Sequence, residues 1–189
     1  GCLAATGFKN GEPTQWRLNK ARAGGGSLMY IGIYSLQAAR SLTGEEPREI
    51  NAMMYTTPGD VRFKEVEETI NFQLRFPSGV LANCTSSYGY SGQNRYRAVT
   101  TKGWFELEPA TQYTGLRMYV HHGETTEERL LPVRDHFTLE MDHMSGCVLE
   151  KKEPLTPRDE GLRHLTTLAG SHEAARAGQP MNRWQGKAG

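Results

Sequence analysis

The spacings in this chain that could do chemistry cluster near its amino-terminal end. Gly24-Gly25-Gly26 leads into a segment carrying Tyr30 and Tyr34. Four residues apart, the two phenols share one face if that segment is helical. A tyrosine has a reference pKa near about 10, so it needs a nearby positive charge to act as a base near neutral pH. Three consecutive glycines lose the most entropy on folding. The run is therefore either a hinge or a place where backbone comes close to something. It lacks the signs of a phosphate cradle, because the chain holds no G-x-G-x-x-G and no apolar strand precedes the run.

The other candidate groups assemble into nothing. His121 and His122 are adjacent at a strand end and point apart. His143, His164 and His172 are isolated, and His136 has no acidic residue at a useful spacing, so no metal site is expected. Ser27 has no histidine and acid partners for a nucleophile. The three cysteines, Cys2, Cys84 and Cys147, contain no Cys-x-x-Cys pair and read as reduced and structural.

The elements that must position these residues follow from hydrophobic period. Gly1 to Gly11 reads as a short strand with Phe8 among its apolar members, broken by Gly11 and Pro13. Trp16 to Arg22 reads as a helical turn or an ordered loop. Ser27 caps a helix running to about Leu42 and closed by Gly44, with Pro47 beyond. Its apolar residues spread round most of the circumference, which predicts burial. Gly32 inside it implies close packing against a neighbour or ligand.

From Glu49 to Leu131 the period is two. Ile70, Phe72, Leu74 and Phe76 alternate with polar residues, Pro77-Ser78-Gly79 turns the chain, and Val80, Ala82 and Cys84 continue a hairpin. Strands are expected at Tyr96–Thr101, Trp104–Glu108, Leu116–His121 and Glu127–Leu131. Beyond Asp135 the period returns to 3.6, with Phe137, Met141, Met144 and Val148 on one stripe. Thr156-Pro157-Arg158-Asp159 opens a last helix carrying Leu162, Leu165, Ala169 and His172. Gly178 and Pro180 stop it, and Trp184 could anchor the tail.

The fold class is therefore α+β, a large and mostly antiparallel open sheet with helices packed on one face. It divides into an entry strand and glycine loop (1–26), a buried helix (27–43), the sheet (49–131), helices (136–178) and a tail (179–189). The 189 residues carry 22 basic and 21 acidic side chains, a net charge of +1, with no basic stripe for nucleic acid. Hydrophobic residues make up 37% and charged ones 23%, which is globular rather than disordered. No run of about 18 apolar residues spans a membrane, and no signal peptide is visible.

Longer stretches carry a family likeness. They are Trp16-Arg17-Leu18-Asn19-Lys20, Gly24-Gly25-Gly26-Ser27-Leu28-Met29, Ile31-Gly32-Ile33-Tyr34 and Gly44-Glu45-Glu46-Pro47. Phe63 to Glu67, the hairpin from Phe72 to Tyr88 and Glu108-Pro109-Ala110-Thr111 continue them. So does the ending from Asp142-His143 through Glu153-Pro154-Leu155 and Glu160-Gly161-Leu162-Arg163 to Glu173-Ala174-Ala175-Arg176. Together these resemble the glucose-fructose oxidoreductase branch of the family that also contains inositol dehydrogenases. The likeness covers nearly the whole chain, but only the family's carboxyl-terminal domain. The Rossmann half that holds NADP or NAD, and the lysine of the family's Lys-Pro motif, have no counterpart in these residues.

The resemblance implies that the full-length protein moves a hydride between a sugar or polyol and a nicotinamide cofactor, and that this part alone is inactive. It places Tyr34 at the catalytic acid/base position. Taken alone, Tyr34 also reads as a core or hydrogen-bonded wall residue, and the resemblance reverses that reading. Tyr30 falls where the family usually has a substrate-binding aspartate, a departure that bears on activity or substrate class. Trp16, Arg17 and Tyr113 match cofactor-side positions. On residue chemistry alone they are a packed tryptophan, a solvated arginine and an edge aromatic. The resemblance also implies dimers or tetramers through the open sheet face, and a cytoplasmic or periplasmic location. The alternative is a non-enzymatic dimerisation or ligand-binding module, which Tyr30 favours.

Overall fold

The computed structural model describes residues 2–5 (as backbone), 12 and 14–182. The expectations for Phe8, Gly11, Pro13 and Trp184 lie outside the described residues. Nine strands form one sheet: β1 (Cys2–Ala5), β2 (Glu49–Tyr55), β3 (Thr69–Arg75), β4 (Leu81–Ser87), β5 (Asn94–Thr100), β6 (Gly103–Leu107), β7 (Arg117–His122), β8 (Thr125–Leu130) and β9 (Met181–Asn182). Their order is β8-β7-β6-β5-β1-β4-β3-β2-β9. The sheet is antiparallel except where β1 runs parallel to β4, with Cys2 opposite Cys84. That strand slots between β4 and β5, which are consecutive in sequence.

The β3–β4 hairpin forms where the Pro-Ser-Gly turn requires it. Gly79 takes a left-handed φ of 87° and donates to the carbonyl of Phe76 at 2.9 Å. The turn is tied down by Glu45, whose carboxylate accepts from Ser78 N and Oγ. Alternation then sorts the side chains. Ile70, Phe72 and Leu74 are buried, whereas Asn71, Gln73 and Arg75 are exposed on the other face.

Two helices cover the apolar face. A π-helical turn (Leu28–Gly32) runs into α2 (Ile33–Thr43), after a short α1 (Lys20–Ala23). Leu28, Leu36 and Ala39 from this segment meet Ile50, Ile70, Phe72, Leu74 and Phe76 of the sheet. The long helix α4 (Arg158–Ala177) adds Leu168 and Ala174 to the same core. Each large apolar side chain buried this way contributes roughly 1.5–3 kcal/mol. Arg40, only 6% exposed, ties α2 to α4 by pairing with Glu46 and with Glu160 at 2.6 Å.

Three features differ from the sequence reading. On α4, Leu162, Leu165 and Ala169 of the expected face are exposed, and the helix meets the core through Leu168 and Ala174. The Ser27–Leu42 segment is not buried all round, because Tyr30, Tyr34 and Leu42 stand about half exposed on its outer side. The helix α3 (His136–Glu150) does not pack onto the sheet: Phe137, Met141, Met144 and Val148 are exposed, and only Cys147 is buried. An amphipathic stripe tells that a helix needs a partner, but not which surface supplies it. No helix among the described residues is long and apolar enough to cross a membrane.

Candidate active site

Trp16, Arg17 and Leu18 form a single 3-10 turn. Asn19 follows as the cap of α1, its side chain accepting from Arg22 N at 3.1 Å. Leu18 points down into a small second core with Ile31, Phe63, Val66 and Tyr88. Trp16 stays 48% exposed. The turn thereby presents Arg17 between two rings, its guanidinium carbon 4.8 Å from the centre of Trp16 and 4.3 Å from that of Tyr30. Arg17 Nη2 also donates to the Tyr30 hydroxyl at 2.9 Å. Three of the expected site residues therefore come together, although the π turn lies 13 residues further along the chain.

The glycines between them are required by close approach. Gly24 closes α1 in the left-handed conformation, with φ 77°. A Cβ on Gly25 would stand 2.5 Å from His172 Cε1, and one on Gly26 would stand 2.0 Å from the carbonyl oxygen of Glu67. Gly32 is equally confined, 2.9 Å from Ser86 Oγ. The run is thus a site of backbone approach, with Glu67 and α4 as what it approaches.

Several residues of this arrangement escaped the sequence reading. Glu65 accepts from Lys20 N at 3.0 Å and from Asn19 Nδ2 at 3.2 Å, and so anchors the Trp16–Arg17 turn. The buried Glu67 carboxylate accepts from Gly26 N at 2.9 Å and Leu28 N at 3.0 Å. His172, read from spacing as isolated, lies with Nε2 3.1 Å from Glu67 Oε1. Burial opposes the charge of Glu67, but the adjacent His172 ring and the Leu28 N–H outweigh it, and the carboxyl is held below the ordinary glutamate value. Tyr88 donates to the carbonyl of Gly26 at 3.2 Å. Burial first, then the charge of Glu67, pushes its phenol well above the usual tyrosine range. The only sequence hint was two acidic residues at the start of a buried strand, Glu67 and Glu68, where burial of a charge demands a partner.

Tyr34 stands at the second position of α2, 52% exposed, with its ring on the open side of the helix. Tyr113 is elsewhere. It packs against Phe137 at 5.1 Å and His136 at 6.5 Å, near the start of α3. Two further histidines make packing or backbone contacts. His121 stacks on Trp104 at 5.3 Å, and His143 Nε2 accepts from Leu155 N at 3.0 Å. Among the described residues no group of three potential metal ligands comes together.

What the geometry offers is an exposed phenol, Tyr34, on the helix that follows the Tyr30 turn, and a cation, Arg17, set against the Trp16 and Tyr30 rings. Known proteins carry the same arrangement of chain. Residues 3–106 match the GFO/IDH/MocA C-terminal domain. The D-xylose 1-dehydrogenase (NADP(+)) of Haloarcula marismortui is 30% identical over 166 residues, 87% of this chain and 46% of that protein. The crystal structure of an aldose-aldose oxidoreductase from Caulobacter crescentus, complexed with glycerol, superposes with a TM-score of 0.90 at 48% identity. That match covers 96% of this chain and 54% of the other. A 3-ketoreductase from Actinomadura kijaniata shares the fold, with a TM-score of 0.76 at 19% identity over 91% of this chain and 52% of its own. The chain spans about half the length of these relatives.

Proposed function

This chain belongs to the GFO/IDH/MocA family, and from that premise we propose that it is the substrate-side domain of an NAD(P)-dependent oxidoreductase acting on an aldose or a related polyol. The observation that carries the reading is the placement of Arg17 against Trp16 and Tyr30, the latter in the helical segment that continues to the exposed Tyr34. The names of the relatives support an aldose and NADP: one is a D-xylose 1-dehydrogenase with NADP(+), another an aldose-aldose oxidoreductase.

The donor set fits a dinucleotide. Trp16 offers a planar, half-exposed face, and Arg17 offers a cation whose orientation two rings restrict. When bound, the nicotinamide supplies the hydride acceptor or donor. The chain's own residues do the rest. Tyr34 exchanges a proton with the substrate hydroxyl at its phenolic oxygen. Tyr30, which receives a hydrogen bond from Arg17, takes the substrate-side position that the family likeness assigns to it. Because Tyr30 lacks a carboxylate, substrate hydroxyls meet a neutral group there. Tyr113, packed near α3, belongs to a separate surface of the domain, and its cofactor role remains a proposal of the family likeness. Sugar turnover requires the nucleotide-binding half found in full-length relatives, so the 189 residues alone are expected to be inactive.

The test is steady-state kinetics on the full-length protein with aldoses and NADP or NAD. Tyr34→Phe is expected to lower kcat by about 10²-fold or more, the usual worth of an acid/base group. Equal rates for Tyr34→Phe and wild type remove Tyr34 from the mechanism.

A further inference from the structure

Glu67 is a buried carboxylate that the chemistry above does not use. Both of its oxygens are engaged on one short stretch of backbone. Oε2 accepts from Gly26 N, and Oε1 accepts from Leu28 N. Its main-chain carbonyl accepts from Ser27 N at 3.3 Å. One residue therefore holds three consecutive N–H groups, and these open the helical segment that carries Tyr30 and Tyr34. A helix start leaves such donors without intrahelical partners. The usual remedy is a capping side chain at the start itself. Here Ser27 Oγ is turned away and donates to the carbonyl of Ser86 at 3.2 Å, so Glu67 takes over from a neighbouring strand.

His172 completes the clamp from the opposite side. It comes from α4, is 5% exposed, and meets the same Oε1 that receives the Leu28 N–H. The glycine run fits between them with no space for a side chain at Gly25 or Gly26. Two residues upstream, Glu65 Oε2 accepts from Asn19 Nδ2 and Lys20 N, directly after the Trp16–Arg17 turn. The strip from Glu65 to Glu67 thus sets both halves of the site in one frame.

We propose that Glu67 and His172 are positioning residues, which fix the backbone at Gly26–Leu28 and through it the direction of the Tyr34 hydroxyl. The proposal deepens the functional reading above and rests on it for the role of Tyr34. Neither residue touches the reacting atoms. Their effect is on orientation, where a misplacement of about 1 Å can cost about 10²-fold in rate.

Two measurements test it. The first is site-resolved amide exchange on this chain. Glu67→Gln keeps the volume but turns one acceptor into a donor facing an N–H. It is expected to speed exchange at Gly26, Ser27 and Leu28 by about tenfold or more, as loss of a charged hydrogen bond does. Exchange at Leu36 and Ala39 should stay within about twofold. Unchanged exchange at Gly26–Leu28, or equal acceleration along all of α2, overturns the clamp. The second is kinetics of the full-length protein. His172→Leu is expected to lower kcat about tenfold with KM altered less than about threefold, the signature of lost orientation rather than lost binding. His172→Gln, which keeps a polar side chain within reach of Glu67, should restore most of the rate. A fall in kcat that His172→Gln does not relieve, or no fall with His172→Leu, overturns the positioning role. A wild-type protein that turns over no sugar overturns the reading of Tyr34 instead, and the exchange result alone then decides the clamp.

Discussion

The Tyr30 hydroxyl accepts a hydrogen bond from Arg17 while the same guanidinium lies 4.3 Å from the Tyr30 ring centre. Tyrosine thus binds this arginine in two ways, through its oxygen and its π face. An aspartate at this position would offer charge but no face. In the full-length protein, Tyr30→Phe is expected to keep the stacking, worth about 0.5–1 kcal/mol at an exposed site, and to lower kcat less than Tyr34→Phe. Tyr30→Asp is expected to raise turnover of simple aldoses. Kinetics of the two variants with one aldose check this. A Tyr30→Phe loss equal to that of Tyr34→Phe would refute the division of roles.

The glycines separate into two groups that alanine scanning should resolve. Gly26→Ala would force a Cβ against the Glu67 carbonyl oxygen, 2.0 Å away. It is expected to destabilise the domain by about 1–3 kcal/mol or more, the usual cost of overpacking. Gly146 in α3 and Gly161 in α4 face open space. Alanine there should stabilise by about 0.5–1 kcal/mol, since glycine weakens a helix interior by that amount. Chemical denaturation of the three variants gives the order directly.

Acid should weaken the fold through two carboxylates. The Arg40 hydrogen bond, more than any other influence, holds Glu160 below its ordinary value. Glu67 is lowered as well, its partners outweighing burial. Both return to ordinary values on unfolding. The unfolded chain then binds more protons as pH falls, so the contribution is full above the ordinary glutamate pKa of about 4.3 and is lost as pH drops through the lowered folded values. The carboxylate contribution to the thermal midpoint should fall away below about 4, after an earlier decline below about 6.5 where His164, held below the ordinary histidine value by burial, charges in the unfolded chain first. Glu160→Gln should be less stable at neutral pH, with a shallower acid slope, so that the two curves converge. Parallel curves would show that the Arg40 pair contributes nothing through its charge.

What the sequence made legible was local. The alternation from Ile70 to Phe76, the Pro-Ser-Gly turn and the glycine-closed helix each rest on residues within a few positions of one another, and each appears at about the expected place. The Gly24–Gly26 run read as a hinge or a close approach, and its partners, Glu67 and His172, are up to about 150 residues away in sequence, so no short-range signal chose between the two readings. The insertion of β1 between β4 and β5 was hidden for the same reason, since strand order depends on contacts that periodicity does not encode. The exposure of α3 was illegible because its apolar stripe looks the same whether or not this chain supplies the cover.

The exposed sheet face remains to be assigned, and self-association through it is the last expectation. On β3 and β4 that face carries Asn71, Gln73, Arg75, Leu81 and Asn83, all exposed, and Met53 on β2 is 71% exposed. The face is too polar for a core, yet it presents amides and methylenes in the mixture typical of a wet interface. A two-fold axis would set each strand face against its own copy. A stable contact would bury more than about 1,200 Å² in total, and α2 and α4 occupy only the opposite face, so nothing in the described chain obstructs it. Light scattering coupled to size exclusion at micromolar concentration should therefore give about twice the 21.1 kDa of one chain. A charge placed mid-face by Leu81→Glu, at a side chain 63% exposed in the monomer, should halve that mass while leaving the thermal midpoint of the domain nearly unchanged. A wild-type mass of a single chain would assign the face to solvent, which antiparallel sheets tolerate on one side.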